Sequence, residues 1–129
     1  MKPAALRARL ATPLPGVAAW REMAPGDRAF PPDMAGYRDA AVLLALFPRD
    51  GAWRLPLIVR TDDGGIHAGQ VALPGGALQK GESPEAGALR EAHEETGLAP
   101  ADAELLGRLS PLPIPVSRFR VTPVVATLA

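Results

Sequence analysis

The sequence predicts a single α/β domain, on three observations. An apolar run at 40–47 (AAVLLALF) is followed, after a Pro-Arg-Asp-Gly turn, by a second at 53–60 (WRLPLIVR). One segment, 84–96, carries helix signals at both ends. Two further strand-like runs, 104–109 and 120–128, come after it. A chain of 129 residues can bury one modest core.

Residues 1–36 are rich in Pro and Ala and poor in bulky apolar side chains. They are expected to contain a short helix around 4–11 and to form an extension packed over a core built by residues 37–129. The run 40–47 has the length of a buried strand, and Asp50-Gly51 is a turn signal. The run 53–60 is then the returning strand of an antiparallel hairpin, with Pro56 marking an edge or a bulge. Residues 61–65 (TDDGG) read as loop, 71–73 as a short apolar piece, and Pro74-Gly75-Gly76 as another loop. The helix begins with Ser83 as its N-cap, Pro84 in the first turn and Glu85 at the positive end of the dipole. Gly97 supplies the left-handed residue that ends it. Ala88, Leu89 and Ala92 would face inward, small enough to let the helix lie close to a sheet.

Composition narrows the function. Fourteen basic and fourteen acidic residues cancel, so the strongly basic footprint of a nucleic-acid binder is absent. The longest apolar run is strand-sized, so no membrane partner is expected. The interrupted N-terminus lacks the continuous apolar core of a secretory signal. There is no cysteine, which excludes disulfides and thiolate metal sites and fits a reducing compartment, the cytoplasm.

The helix then poses a problem. Glu91, Glu94 and Glu95 lie three and four residues apart, on one face. Their mutual repulsion weakens an isolated helix by a few tenths of a kcal/mol per pair, roughly. They also sit toward the negative end of the dipole. A solvated acidic face is the ordinary reading of such a cluster, with Arg90 pairing to Glu94 across one turn. A divalent cation would reverse the sign of the problem, because magnesium and manganese prefer oxygen ligands and suit phosphate chemistry.

The flanking residues favour the cation. Gly76, five residues, Glu82, seven residues, then Arg90-Glu91-Ala92-His93-Glu94-Glu95-Thr96-Gly97-Leu98 resembles, at every defined position, the Nudix box (76–98) of the Nudix hydrolase superfamily. The resemblance implies an α/β/α sandwich around a central mixed sheet, and hydrolysis of a pyrophosphate linked to another moiety. It implies that Glu91, Glu94 and Glu95 hold Mg2+ or Mn2+, with the Gly75 carbonyl. Arg90 would orient one of these acids, and Glu82 would lie near the site as a secondary ligand or water partner. His93 falls at the variable position of the box and is expected to be exposed.

The segment 60–76 (RTDDGGIHAGQVALPGG) resembles the upstream signature of the coenzyme A pyrophosphatase subfamily. Arg60, Gly69, Val71, Pro74, Gly75 and Gly76 match, and Thr61 is a close replacement for serine. Ile58, Gly65 and Leu73 depart from it. Gly65 stands where the signature has a second arginine, and the extra 3′-phosphate of coenzyme A wants a cation. Arg60 or another basic group would have to serve. Leu14, Pro15 and Gly16, the stretch 23–25 (MAP), residues 38–42 (RDAAV) and residues 115–125 (PVSRFRVTPVV) also look like this subfamily. His67 and Gln70 are expected to line the substrate pocket, while Arg118 and Arg120 read as solvent-facing residues of a half-exposed strand.

Three functions follow. The first is metal-dependent cleavage of coenzyme A or its thioesters. The second is hydrolysis of another nucleoside diphosphate derivative, such as ADP-ribose, or of a nucleoside triphosphate. The third is a nucleotide-binding module without turnover. No carboxylate follows Glu104, so a general base would be Glu94, Glu82, a group from a second subunit, or none at all. Subfamily members usually continue past the equivalent of Ala129 with a further strand and helix. An absent C-terminal helix would leave a strand edge open and favour a homodimer.

Overall fold

In the computed structural model, residues 1–24, 26, 33–61 and 69–129 are described. The fold is mixed α/β. Its main sheet has six strands: β1 (Arg38–Arg49), β2 (Ala52–Arg54), β5 (Gly75–Ala77), β6 (Ala103–Arg108), β7 (Leu112–Ile114) and β8 (Phe119–Leu128). β1 and β8 run parallel through nine residue pairs at the centre, and every other pairing is antiparallel. The sheet is therefore mixed, as the family resemblance implies. Two short strands, β3 (Ile58–Val59) and β4 (Val71–Ala72), form a separate ribbon.

The aliphatic run at 40–47 makes β1 the spine. Its alternate residues Ala41, Leu43 and Ala45 are buried, together with Val124 and Ala126 of β8. Helix α3 (Pro84–Thr96) closes this core with Ala88 and Ala92, which are 0% and 1% exposed, while Leu89 packs at the margin. The α3 boundaries are those the sequence predicts. Ser83 Oγ accepts from the Ala86 N–H at 3.2 Å, and Gly97 ends the helix at φ 77°.

Four segments differ from the sequence reading. The expected returning strand 53–60 is split. Asp50 and Gly51 both adopt positive φ, the requirement of a tight two-residue hairpin turn, but pairing with β1 stops at Arg54. Pro56 lies between the halves with no N–H to offer a ladder, and Ile58–Val59 pairs instead with Val71–Ala72. Pro74-Gly75-Gly76 is not a free loop, because Gly75 and Gly76 pair with Val42 and Ala41. A Cβ on Gly75 would lie 2.3 Å from the Ala41 carbonyl oxygen, so glycine is there for close backbone approach. Beyond the expected helix, seen as α1 (Pro3–Leu10), a second helix α2 (Val17–Met23) forms. α1 rests on β6, where Arg7 pairs with Glu104 and Leu10 lies against Gly107. β7 was hidden by its flanking prolines.

Pro123 stands inside the central strand β8. Its carbonyl accepts from the Leu109 N–H, so the side that lacks a donor faces the break between β6 and β7. The missing hydrogen bond costs little at that one place.

Candidate active site

Strand β5 leads through 78–82 into α3, and this path places the box residues. Arg90 organises them. Its Nε and Nη2 donate to the two Glu82 carboxylate oxygens at 2.8 and 2.9 Å. Its Nη1 donates to Glu91 at 2.8 Å and, more weakly, to Glu94 at 3.4 Å. Nη2 also donates to the Ala77 carbonyl at 3.2 Å. These contacts use all five donors of a guanidinium. The Arg90 and Glu82 side chains are 24% and 12% exposed, well shielded for such a charged pair. Arg90 holds the Glu82 carboxyl far down, at about 2, and the Gln79 N–H donates to it as well. Arg90 itself is pushed above its ordinary range by Glu82 and then Glu91.

Glu91 and Glu95 come together one turn apart on α3. Desolvation raises the Glu95 carboxyl above its ordinary value, and the charge of Glu91 adds to this. A backbone hydrogen bond from Gly75 and the charge of Arg60 oppose the rise. Gly76 makes room for the pair, since a Cβ there would lie 2.8 Å from the Glu91 carboxyl carbon. The Glu94 side chain is 56% exposed and, among the described residues, held only by its long contact to Arg90. His93 is exposed, with Nδ1 3.0 Å from the Leu98 carbonyl.

Arg60 and Glu95 line one open cleft of about 320 Å³ with Ile58, Val59 and Thr61. Arg60 closes the end of the ribbon. Its N–H donates to the Gln70 carbonyl at 2.8 Å, and its carbonyl accepts from Gly69 at 3.0 Å. Gln70 thus sits beside Arg60 but outside the residues that line the cleft. His67 lies outside the described residues. The sequence reading expected the Gly75 carbonyl at the site but missed the Ala77 carbonyl and the Gly75 N–H that bonds Glu95. Backbone groups leave no residue-type signal, and only the Pro-Gly-Gly run hinted that the main chain comes close.

Among the described residues, no three acidic or histidine side chains converge into a ready-made metal cage. The donor set nevertheless fits a hard divalent cation. Magnesium commonly takes one or two carboxylates and keeps water or phosphate oxygens in its other positions. Glu91 and Glu95 provide two adjacent carboxylates whose repulsion a cation would relieve.

A mixed sheet with a glutamate-bearing helix laid against a glycine strand defines the class, and the family model described as NUDIX domain matches residues 36–127. The chain belongs to that family. It is 43% identical over 97 residues to the Uncharacterized Nudix hydrolase NudL of Enterobacter sp. (strain 638), an alignment covering 74% of this chain and 50% of that one. The chain spans about half the length of that relative. Among solved structures it is similar to the Nudix hydrolase RenU from M. Smegmatis, with 30% identity and a TM-score of 0.59, covering 71% of this chain and 61% of that one. It shares the fold of the NUDIX domain of Shewanella oneidensis NrtR, which was crystallised with ADP ribose, at 21% identity and a TM-score of 0.52, covering 86% and 68%. No helix among the described residues is long and apolar enough to cross a membrane.

Proposed function

We propose that this chain hydrolyses the pyrophosphate bond of coenzyme A or its thioesters, releasing 3′,5′-ADP and 4′-phosphopantetheine or its acylated counterpart. The observation that carries this reading is Arg60 beside Glu95. Arg60, which matches the coenzyme A-like upstream signature, shares a cleft with Glu95 of the box. Glu91, Glu94 and Glu95, with the Gly75 carbonyl, would hold Mg2+ or Mn2+. Such an ion, when bound, neutralises pyrophosphate oxygens, polarises phosphorus and lowers the pKa of water.

The chain's own residues divide the remaining work. Arg90 fixes the Glu91 carboxylate and is itself fixed by Glu82. Glu82 has both oxygens occupied and a carboxyl near 2, so it is a poor proton acceptor and acts by positioning. Glu94, exposed and loosely held by the protein, would also take a proton from water as the water oxygen bonds to phosphorus and the bridging P–O bond breaks. Arg60 meets the substrate's phosphate charge, while His67 and Gln70 lie on the same upstream segment and contact the substrate there.

Gly65 in place of arginine favours a second reading, cleavage of ADP-ribose or another nucleoside diphosphate derivative. A third reading is a binding module without turnover. A substrate panel with magnesium or manganese separates them. Coenzyme A cleaved to 3′,5′-ADP supports the first, cleavage of ADP-ribose or nucleoside triphosphates alone the second, and binding with no product the third.

A further inference from the structure

We propose that Arg38, Arg118 and Lys80 form a subsite for a phosphomonoester carried by the nucleotide substrate. The inference rests on the proposed coenzyme A reading and names the group that replaces the arginine absent at Gly65. The relevant cleft, about 430 Å³, is lined by Tyr37, Arg38, Asp39 and the 77–82 segment. It includes Ala77 and Glu82, two of the groups that hold Arg90, so it adjoins the acid cluster.

Two guanidiniums stand here on aromatic rings. Arg38 lies 4.4 Å from the Phe119 ring centre, and Arg118 lies 5.8 Å from that of Tyr37. The Arg38 N–H donates to the Arg118 carbonyl at 2.9 Å, which ties the two backbones together. Arg118 adopts φ 55°, an uncommon conformation for a residue with a side chain. A guanidinium stacked on a ring keeps its N–H edge for an anion, and phosphate oxygens match that edge bidentately.

The nearby acids are already occupied. Asp39 accepts from Arg120 at 2.7 Å, and Glu82 is held by Arg90. Among the described residues, none of Arg38, Arg118 and Lys80 forms an ion pair with a carboxylate. Arg38 and Lys80 line the open cleft, and Arg118 stands over Tyr37, which lines it too, in a chain of zero net charge. Packing alone would explain one stacked arginine. Two, joined through the backbone, one lining the cleft with Lys80 and the other stacked on the cleft's Tyr37, match a dianionic ligand.

Calorimetric titration of the full chain with 3′,5′-ADP, 5′-AMP and inorganic phosphate tests this. The 3′-phosphate should make 3′,5′-ADP bind about tenfold more tightly than 5′-AMP, the scale of one charge-assisted bidentate contact. Arg38→Gln with Arg118→Gln should bring that ratio close to one. Lys80→Gln, on an exposed turn where it leaves the fold intact, should lower the ratio by about threefold. Equal affinities in the unaltered chain, or a ratio that survives in a variant with unchanged circular dichroism, would overturn the subsite. So would phosphate binding lost in the variant without any advantage for 3′,5′-ADP, which would mark a site for the free ion. If the ratio holds but coenzyme A is never cleaved, the subsite stands and the hydrolytic reading fails.

Discussion

The β5–α3 unit and the β3–β4 ribbon meet at one cleft, but they are held in place by very different means. In the first, all five Arg90 donors are engaged, and Ala88 and Ala92 lock the helix to β1 and β8. In the second, among the described residues, two residue pairs and the Arg60 backbone bonds to Gln70 and Gly69 make the ladder, and the opposed Val59 and Val71 are 70% and 64% exposed. A two-stranded ribbon of this size has little stability of its own. The comparison teaches that the acids belong to a stiff layer, while Arg60 stands on a soft one. Changes in the first should alter chemistry or folding, and changes in the second should alter affinity.

The largest expected effect belongs to the stiff layer. Glu95→Gln should reduce turnover by at least about 100-fold, the upper range for loss of a partner in a metal site. Its thermal midpoint should hold or rise, because a repelling carboxylate pair is relieved. Steady-state kinetics beside a melting curve would check both halves. Gly75→Ala should come next. Its Cβ would sit 2.3 Å from a backbone oxygen that cannot move aside, and overpacking of that kind costs about 1–3 kcal/mol. Denaturant titration reads that loss. For Gly76→Ala the nearest atoms are the end of the flexible Glu91 side chain, so it should spare the fold and lower activity instead.

The ribbon should answer in KM. Arg60→Ala is expected to raise KM by about tenfold, with a smaller fall in kcat, as removal of a binding contact does. An equal fall in kcat and kcat/KM would move Arg60 into the chemistry and dissolve the contrast between the layers. Val71→Thr, on an exposed face, should change stability by no more than about 0.5 kcal/mol.

The smallest effect is one of pH. The Glu82 carboxyl is held at about 2, against 4.5 for an ordinary glutamate. A lowered carboxyl pKa stabilises the fold above the unfolded value, and that contribution is lost as pH falls. The difference in thermal midpoint between the native chain and Glu82→Gln should therefore be full at neutral pH and shrink between pH 4.5 and 2.

The same contrast explains what could be read in the sequence. α3 was legible to the residue, because Ser83, Pro84 and Gly97 act locally and the acids repeat on one face. β1 announced itself by the unbroken apolar run 40–47, and β8 by the Val-rich residues around Pro123. The ribbon was misread because WRLPLIVR has strand composition on both sides of Pro56, and only the missing N–H divides it. β5 was misread because glycine in a strand and glycine in a loop look alike until Ala41 is seen pressing on Gly75. Arg118 and Arg120 read as one solvent-facing pair. Their separation, Arg120 onto Asp39 and Arg118 onto Tyr37, depends on contacts across about eighty residues that no local pattern carries.

The most direct test of the central claim is the rate of 3′,5′-ADP release from coenzyme A as magnesium is titrated, for the native chain and Glu95→Gln side by side. The account predicts a rate that rises with magnesium to saturation and falls by about 100-fold or more in the variant. Release that ignores magnesium, or that proceeds undiminished without the Glu95 carboxylate, would contradict it.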